Sequence, residues 1–357
     1  MFSSKHYVPV LRLKQSEWLA LRLVNDRHRK FITPLIEPTP WYFNSGNSRN
    51  INKSIEKTIK NLEKSWGKYP AFFDPHIIIN QINITNFLIY YFERAKNAKL
   101  HLIPVFGFHG GEEYKVIIRS IVKKYGHGVC LRLIGKDVNS TNLKENIENI
   151  LDYFHLYPSS VDLIFDCKVL LKNFDPKSLS LIIKRMPFVD AWRSFTVLGG
   201  SFPKDLSEFS IDMHRIPRVE WVSWLELIGT KLKRMPSFGD YTIQHPNFSE
   251  PPKFANYSAS VRYTAETQWI ILRGEGVRNK GSLGHAQYPA HASLLLELDE
   301  FSGANFSAGD LYIDNMAQKF NNEEEIENPG NAGSWLKAGV NHHLTFVADQ
   351  LANLDGF

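Results

Sequence analysis

Short apolar runs alternate with longer amphipathic stretches along most of the chain. The first run covers residues 7–14 and reads Tyr-Val-Pro-Val-Leu-Arg-Leu-Lys. Alternate side chains of an extended strand share a face, so one face of this run is apolar and the other becomes charged at Arg12 and Lys14. Parallel-sheet and barrel folds gather their functional groups at the carboxyl ends of strands. The run therefore predicts a strand whose last residues face a functional edge.

Seven further runs have the length and composition of strands. They cover residues 32–37, 71–74, 100–108, 129–134, 161–167, 194–199 and 238–244. The stretches between them have helical spacing, as in 51–66, and Asp175-Pro176 is a typical helix start. About eight β/α units joined by short loops predict an α/β protein, a (β/α)8 TIM-like barrel formed by one domain over residues 1–357. An open doubly wound sheet and a barrel that lacks one strand are the alternatives.

The region after the eighth predicted strand has a different pattern. Residues 257–264 and 268–274 predict a β-hairpin within an insertion at 250–285. In a barrel this insertion belongs to the last strand-to-helix connection, so we expect it to lie over the barrel mouth and to bring Arg262 towards a ligand. Residues 286–357 then predict C-terminal helices, at about 289–300, 308–320 and 333–352, that close the barrel.

Composition narrows the function classes only slightly. The formal net charge of +5 is mild and neither demands nor excludes a phosphate-bearing partner. Lys53, Lys57, Lys60 and Lys64 spread along one predicted helix, which is more typical of a solvated face than of a nucleic-acid site. The two cysteines lie in predicted strands, which favours reduced core thiols. No apolar signal region or membrane-length apolar run is present, so a cytoplasmic protein without membrane contact is expected.

The alternation of side chains between the two faces of each strand, which we call strand parity, predicts which polar side chains point into the barrel. If the more continuously apolar faces meet the helices, the inward set is Arg12, Lys14, Thr33, Glu37, Asp74, Arg132, Asp162, Asp166, Asp240, Thr242 and Gln244. Barrel interiors are normally filled by branched apolar side chains, so this interior would be unusually polar. Buried charges persist when they are paired or engaged with a ligand. The set therefore indicates an ion-pair network or a charged-ligand site at the mouth.

Two groups of candidate site residues follow, most of them from this inward set. The candidate catalytic residues, at or near the carboxyl ends of predicted strands, are Glu37, Asp74, Asp166 and Asp240. The candidate ligand-binding residues are Lys14, Arg132, Arg218, Arg262 and Gln244. Carboxylates of this kind hold divalent cations or act as general acid and base, while the cations clamp phosphate or carboxylate oxygens. A divalent cation is thus one candidate cofactor, although its ligands stay undetermined. A catalytic site that resembles barrel phosphodiesterases, a non-catalytic pocket and plain salt bridges all remain open.

Familiar catalytic motifs are absent from the sequence. It contains no nucleophile elbow, Walker loop, CxxC pair or HExxH motif. His342 and His343 are adjacent, so on a helix they point about 100° apart and cannot readily share one metal ion. We expect them to cap or pack.

Five segments in combination are distinctive. They are the run at 7–14 with Glu17, Ile-Thr-Pro-Leu-Ile-Glu-Pro at 32–38, Phe-Gly-Asp-Tyr-Thr-Ile-Gln at 238–244, Val-Arg-Tyr-Thr at 261–264, and Gly-Asn-Ala-Gly-Ser-Trp at 330–335 with Asn-His-His at 341–343. With these segments the chain resembles the Beta protein family of satellite prophages over nearly its whole length. The resemblance supplies no established catalytic residue.

The resemblance implies a cellular role that composition and spacing do not show. Similar family members are encoded beside a small killer protein called Gop and a cII-like regulator, in a module that protects bacteria against phage. It implies a protein that restrains the toxin-like killer partner in anti-phage defence. Two hypotheses follow: a non-enzymatic antitoxin or sensor that recognises the killer, a phage-derived trigger or a phosphorylated small ligand, and a hydrolase that acts on a phosphorylated metabolite or nucleic-acid end. Oligomeric state is not predicted.

Overall fold

Eight parallel strands close into a barrel in the computed structural model, which describes residues 2–43, 48–249 and 256–354. In chain order the strands are β1 (Tyr7–Leu11), β2 (Leu35–Ile36), β3 (Ala71–Phe73), β4 (Leu102–Phe106), β5 (Val129–Ile134), β6 (Val161–Val169), β7 (Ser194–Gly200), β8 (Asp212–Pro217), β9 (Ser237–Asp240), β10 (Ser258–Thr264) and β11 (Gln268–Gly276). The barrel consists of β1 to β7 and β9, and it closes where β9 pairs with β1. The predicted (β/α)8 barrel is confirmed.

Helices surround the barrel and form its outer layer. Within the described ranges they are α1 (Gln15–Arg22), α2 (Asp26–Arg29), α3 (Pro40–Phe43), α4 (Ser48–Ser65), α5 (Ile84–Asn97), α6 (Gly111–Tyr125), α7 (Gly135–Val138), α8 (Leu143–Phe154), α9 (Pro176–Arg185), α10 (Val219–Leu225), α11 (Gln287–Leu296), α12 (Ala308–Asn321) and α13 (Ala332–Ala352). The predicted helix start is confirmed at α9, where the Asp175 side chain accepts a hydrogen bond from the backbone of Lys177.

The barrel interior is apolar through its middle and polar at its carboxyl end. Its apolar filling consists of Val8, Val10, Leu35, Phe72, Ile103, Val105, Cys130, Ile164, Leu198 and Tyr241. Arg12 and Arg132 follow two of these residues at a spacing of two, so they share the inward face but lie nearer the mouth. The interior is therefore less polar than parity alone predicts, because the inward positions before the strand ends are mostly hydrophobic.

Two barrel strands end at least three residues earlier than predicted. Residues 7–14 and 238–244 were expected to be extended throughout, but β1 stops at Leu11 and β9 stops at Asp240. Leu13 and Thr242 then adopt left-handed backbone conformations, with φ of 57° and 53°. A left-handed residue interrupts the alternation of faces, so parity does not extend to the residues that follow it.

The predicted hairpin is confirmed as β10 and β11, but it belongs to a sheet of three strands in the order β10-β11-β8. Strand β8 pairs with β11, Trp269 lying opposite Ile216, and it was not predicted. Its sequence, Asp-Met-His-Arg-Ile-Pro, lacks a clear apolar face, and most of its side chains are exposed. Such an edge strand depends on its neighbour for hydrogen bonds, which a local pattern does not reveal.

Helix α13 joins the three-stranded sheet to the barrel. It packs against α1, β1 and β10, and its side chains Val340, Leu344 and Val347 belong to the apolar layer outside the barrel wall. Helix α12 crosses it closely at Gly309, where a methyl group would collide with the backbone of Ala338. The C-terminal helices are thus packed on the barrel as well as on one another.

Two further observations concern the cysteines and the membrane. Cys130 is buried, and both Cys130 and Cys167 are free thiols, as predicted. Within the described parts of the chain, no helix combines the length and the apolar character needed to cross a bilayer.

Candidate functional site

The guanidinium of Arg132 lies at the centre of the polar groups at the barrel mouth. Its Nη1 donates to Glu37 over 2.8 Å and to Asp74 over 2.6 Å. Its Nε and Nη2 both donate to Oδ2 of Asp166, over 3.0 and 2.7 Å. Glu37 and Asp74 directly follow β2 and β3, and Asp166 lies in β6, so one arginine binds carboxylates from three strands.

Tyr241 and Lys168 complete this arrangement. The Tyr241 hydroxyl accepts from Nη2 of Arg132 over 2.8 Å and donates to Asp166 over 2.7 Å. Nζ of Lys168 lies 3.0 Å from Oδ2 of Asp166 and 3.1 Å from the Tyr241 hydroxyl. We call the set Glu37, Asp74, Arg132, Asp166, Lys168 and Tyr241 the Arg132 cluster.

The cluster keeps its carboxylates ionised. Burial alone would raise the pKa of Asp166, but Lys168 and Arg132 outweigh burial and hold that pKa below its ordinary value. Burial likewise opposes ionisation of Asp74 and Glu37, and in both cases His76 and Arg132 lower the pKa in spite of it. The three carboxylates are therefore charged at neutral pH, and the buried Arg132 contacts all three of them.

Solvent reaches only part of this site. Arg132 is 5% exposed, Glu37 1% and Asp166 0%. The side chains of His76 and Lys168 are 43% and 31% exposed. A molecule that approaches the mouth therefore meets the two basic side chains before it meets the carboxylates.

A second group of polar contacts lies beside the cluster. Glu17 accepts from the backbone N–H of Arg12 over 2.6 Å and of Lys14 over 3.2 Å, and it also binds the amide of Gln244. Nζ of Lys14 donates to Gln244 over 3.0 Å. Arg12 connects the two groups, because its Nε lies 3.4 Å from Glu37. The predicted ligand-binding residues Lys14 and Gln244 thus lie at the mouth and contact each other.

Unusual backbone conformations border the mouth. Leu13, Lys168 and Thr242 have positive φ, at 57°, 56° and 53°, and each lies at or just after the carboxyl end of a barrel strand. Such conformations cost roughly 1–3 kcal/mol each for residues other than glycine, and they concentrate at binding and switch sites. Three of the seven described residues other than glycine with positive φ therefore lie at this end of the barrel.

One comparison with known proteins finds a match over nearly the whole chain. A family model with the description Beta protein matches residues 7–349, which include the whole barrel and most of α13. The chain belongs to the Beta protein family. This membership is consistent with a prophage-associated protein. A search of curated proteins finds no match.

Asp240 does not join the mouth in this family member, and the prediction that it points inward is wrong. Its Oδ1 accepts from the Tyr7 hydroxyl over 2.6 Å, and its Oδ2 lies 2.9 Å from Nε2 of His343 on α13. Asp240 shares a strand face with Phe238, whose ring stacks on Tyr7 outside the barrel wall. The error comes from extending one alternation over residues 238–244, because the left-handed Thr242 leaves Tyr241 in the interior and Ile243 in the layer outside the wall.

Arg218 and Arg262 also lie apart from the Arg132 cluster. Nη1 of Arg218 donates to the carbonyls of Ala265 and Glu266, both over 3.0 Å, at the turn between β10 and β11. Arg262 donates to the carbonyl of Ile243 over 3.0 Å. Burial lowers the pKa of Arg262 to about 10. Arg262 therefore touches the loop that follows β9, whereas Arg218 secures the three-stranded sheet.

His342 and His343 contact different carboxylates, as expected for residues that cannot share a metal ion. Nδ1 of His342 lies 2.9 Å from Asp310, and Nε2 of His343 lies 2.9 Å from Asp240. Both histidines are fully buried. They connect α13 to α12 on one side and to the barrel on the other.

One group of side chains at the mouth has the composition of a metal site. Ligand atoms of Glu37, Asp74 and His76 all lie within 4.8 Å of one another. Nδ1 of His76 is 3.3 Å from Oδ1 of Asp74, the oxygen that Arg132 does not bind. Two carboxylates and an imidazole are ligands that Zn²⁺ and Mn²⁺ accept. The group fits a divalent cation that leaves positions open to solvent.

Sequence reasoning missed His76, Lys168 and Tyr241. A detectable signal existed for the first two, because each follows a predicted site aspartate by two residues, Asp74-Pro-His76 and Asp166-Cys-Lys168. Residues two apart share a face where the chain stays extended. Tyr241 offered no such signal, because its inward position depends on the end of β9.

Proposed function

We propose that this member of the Beta protein family acts in the cytoplasm as the restraining component of an anti-phage defence module. In this proposal it holds a toxin-like killer partner inactive, and its barrel mouth senses infection by binding an anionic, phosphate-bearing ligand or phage-derived trigger without turning it over. The observation that supports the sensor is the Arg132 cluster. Its carboxylates are already bound by Arg132, and the side chains open to solvent are the basic His76 and Lys168.

The cluster favours ligand sensing over general acid–base catalysis. A general base must reach the proton that it removes, and its pKa works best near the operating pH. Asp74 and Asp166 are buried, and the neighbouring cations hold their pKa values below the ordinary range. A phosphate group, in contrast, can compete with Asp166 for Lys168. If a phosphate displaces Asp166 from Lys168, the contacts of Tyr241 and Arg132 would change as well. The mouth would then have one conformation without the ligand and another with it.

The proposal can be tested by substitutions at the mouth. Glu37→Gln, Asp166→Asn and Arg132→Ala remove members of the cluster, and Asp162→Asn serves as the control because Asp162 pairs with Arg193 outside the cluster. Each variant is first checked for folding by circular dichroism. We expect the three mouth variants to lose phage protection while the killer partner is still captured in a pull-down assay, and the control to keep both. Folded mouth variants that all still suppress killing and support resistance would refute a mouth-based mechanism.

Milder substitutions address the accessible side chains directly. His76→Gln and Lys168→Gln leave the contacts of Arg132 with Glu37 and Asp74 in place. We expect both to weaken the response to infection without releasing the killer protein in uninfected cells. If both variants release the killer protein and uninfected cells die, the mouth would instead be part of the surface that binds the killer partner.

A metal-assisted phosphodiesterase or other hydrolase is the second candidate function. The observation that favours it is the close grouping of Glu37, Asp74 and His76 at the carboxyl ends of β2 and β3. Barrel enzymes place catalytic groups at this end, and a divalent cation there would polarise a phosphoryl oxygen. A phosphorylated metabolite or a nucleic-acid end would be the substrate.

Metal titration separates the two candidates. Mn²⁺ and Zn²⁺ are titrated into the protein by calorimetry, and hydrolysis of bis-p-nitrophenyl phosphate is followed with each metal. The hydrolase requires stoichiometric metal binding and turnover that His76→Ala abolishes. A sensor without catalysis predicts no turnover with either metal. Turnover that persists in His76→Ala would show that hydrolysis does not depend on this metal group and would count against the hydrolase proposed here.

A further inference from the structure

A groove on the outside of the barrel has the features of an anion site. It shares no described residue with the Arg132 cluster. It lies between α1 and α4, with α3 at one end, and we call it the α1–α4 groove. The lining residues that matter for its chemistry are Trp18, Arg22, Tyr42, Lys57, Asn61 and Lys64. No acidic side chain is among the described residues that line it.

The charge of the groove is uncompensated. Lys57, Asn61 and Lys64 stand at positions i, i+4 and i+7 of α4, so they form one face of that helix. Arg22 faces them from the last turn of α1. None of the three cations makes an ion pair within the described part of the chain, whereas surface cations elsewhere, such as Lys144 with Glu148, do so. Three unpaired cations along one depression attract a multivalent anion.

Trp18 adds a second observation that points to a ligand. Its side chain is 4% exposed, and its indole N–H has no hydrogen-bond acceptor among the described residues. A buried donor without an acceptor costs about 1–3 kcal/mol. Tyr42 offers a half-buried ring at the same groove, and Asn61 offers an amide. The groove therefore combines cations with unused neutral donors, a combination that phosphate oxygens satisfy.

We infer that the α1–α4 groove binds a phosphate-bearing ligand, with Arg22, Lys57 and Lys64 around the phosphate and with Asn61 and Trp18 as donors. This site is separate from the proposed sensing site. The two are joined through α1, because Glu17 on that helix binds the backbone of Arg12 and Lys14 and the side chain of Gln244 at the mouth. The phosphate belongs either to a small phosphorylated compound or to a nucleic-acid backbone.

A matched pair of charge variants tests the inference. Lys57→Gln/Lys64→Gln removes two cations from the groove, and Lys53→Gln/Lys60→Gln removes two exposed cations from the same helix that do not line it. Pyrophosphate and a 5′-phosphorylated hexanucleotide are the probes, and affinity is measured by calorimetry at two salt concentrations. We expect the groove variant to lose roughly tenfold or more in affinity and the control to stay within about twofold.

Further variants and the comparison of the two probes identify the source of the phosphate. They also test for effects that are not specific to the groove. Trp18→Phe keeps the net charge and should weaken binding at the groove. The same losses are expected in a His76→Gln/Lys168→Gln background, which removes the accessible basic side chains of the proposed site at the mouth. Binding of pyrophosphate assigns a small ligand, whereas binding of the hexanucleotide alone, with a steep salt dependence, assigns a nucleic-acid backbone. Equal losses in the groove and control variants, or no binding of either probe by the unmodified protein, would overturn the inference and leave a solvated lysine face.

Discussion

Nε2 of His343 lies 2.9 Å from Oδ2 of Asp240, and this contact joins the last long helix of the chain to the last strand of the barrel. The same imidazole lies 2.9 Å from the Tyr7 hydroxyl, and its Nδ1 lies 2.9 Å from the hydroxyl of Thr264 on β10. Burial lowers the pKa of His343 although Asp240 raises it, so the ring is neutral. One side chain thus connects β1, β9 and β10 to α13.

Replacement of His343 by alanine should destabilise the whole protein. The change leaves Asp240, Tyr7 and Thr264 each without one buried partner and opens a cavity, so we expect a loss of about 3 kcal/mol in the free energy of unfolding. Urea unfolding followed by circular dichroism measures this. His285→Ala, at an exposed histidine, is the control and should have little effect. Equal urea midpoints for His343→Ala and His285→Ala would contradict the structural role of His343.

Loss of Arg132 should make the stability of the mouth more dependent on protonation of its carboxylates. Without its guanidinium, burial is less strongly opposed, so the pKa values of Glu37, Asp74 and Asp166 rise even though His76 and Lys168 still lower them. We expect Arg132→Met to lose more than about 4 kcal/mol at pH 8. Because such carboxylates are protonated at low pH, part of that loss should be recovered near pH 5. Thermal unfolding at both pH values tests this, and a loss independent of pH would argue against the ionic cluster.

The unmodified protein should lose stability in acid. The cations around Asp74 and Asp166 hold both pKa values below the ordinary value, so these carboxylates contribute their stability above about pH 4, the pKa range of the unfolded chain, and lose it as the pH falls. Asp166→Asn should therefore show a flatter dependence of unfolding free energy between pH 5 and pH 2. The expected difference is about 2 kcal/mol or more. Parallel pH profiles for the variant and the unmodified protein would disagree with this assignment.

The contact between α12 and α13 gives a prediction about packing alone. A methyl group at Gly309 would collide with the backbone of Ala338, which cannot move without shifting α13. We expect Gly309→Ala to cost about 2 kcal/mol or more. Gly135→Ala is the control, because nothing lies within 4 Å of the added carbon. Thermal unfolding of the pair measures the cost, and matching transition temperatures would show that the helices can separate freely.

Much of the barrel could be predicted from local pattern. Strand β5 occupies the predicted residues 129–134, and α9 begins at the predicted Asp175-Pro176 start. Each signal depends on side chains close together in the chain, such as an N-cap or an alternating run. Strand β8 was missed because its partner β11 lies about fifty residues away and its own faces do not differ clearly.

The inward direction of Arg12, Glu37, Asp74, Arg132 and Asp166 followed from the sequence alone, because alternation within a strand is a local geometric property. The tertiary structure decided that Arg132 reaches three carboxylates at once, that Lys168 and His76 stand at the opening, and that Asp240 turns outward to His343. Those outcomes depend on where each strand ends and on how the closed barrel brings distant strand ends within the reach of one side chain. No short window of residues contains that information.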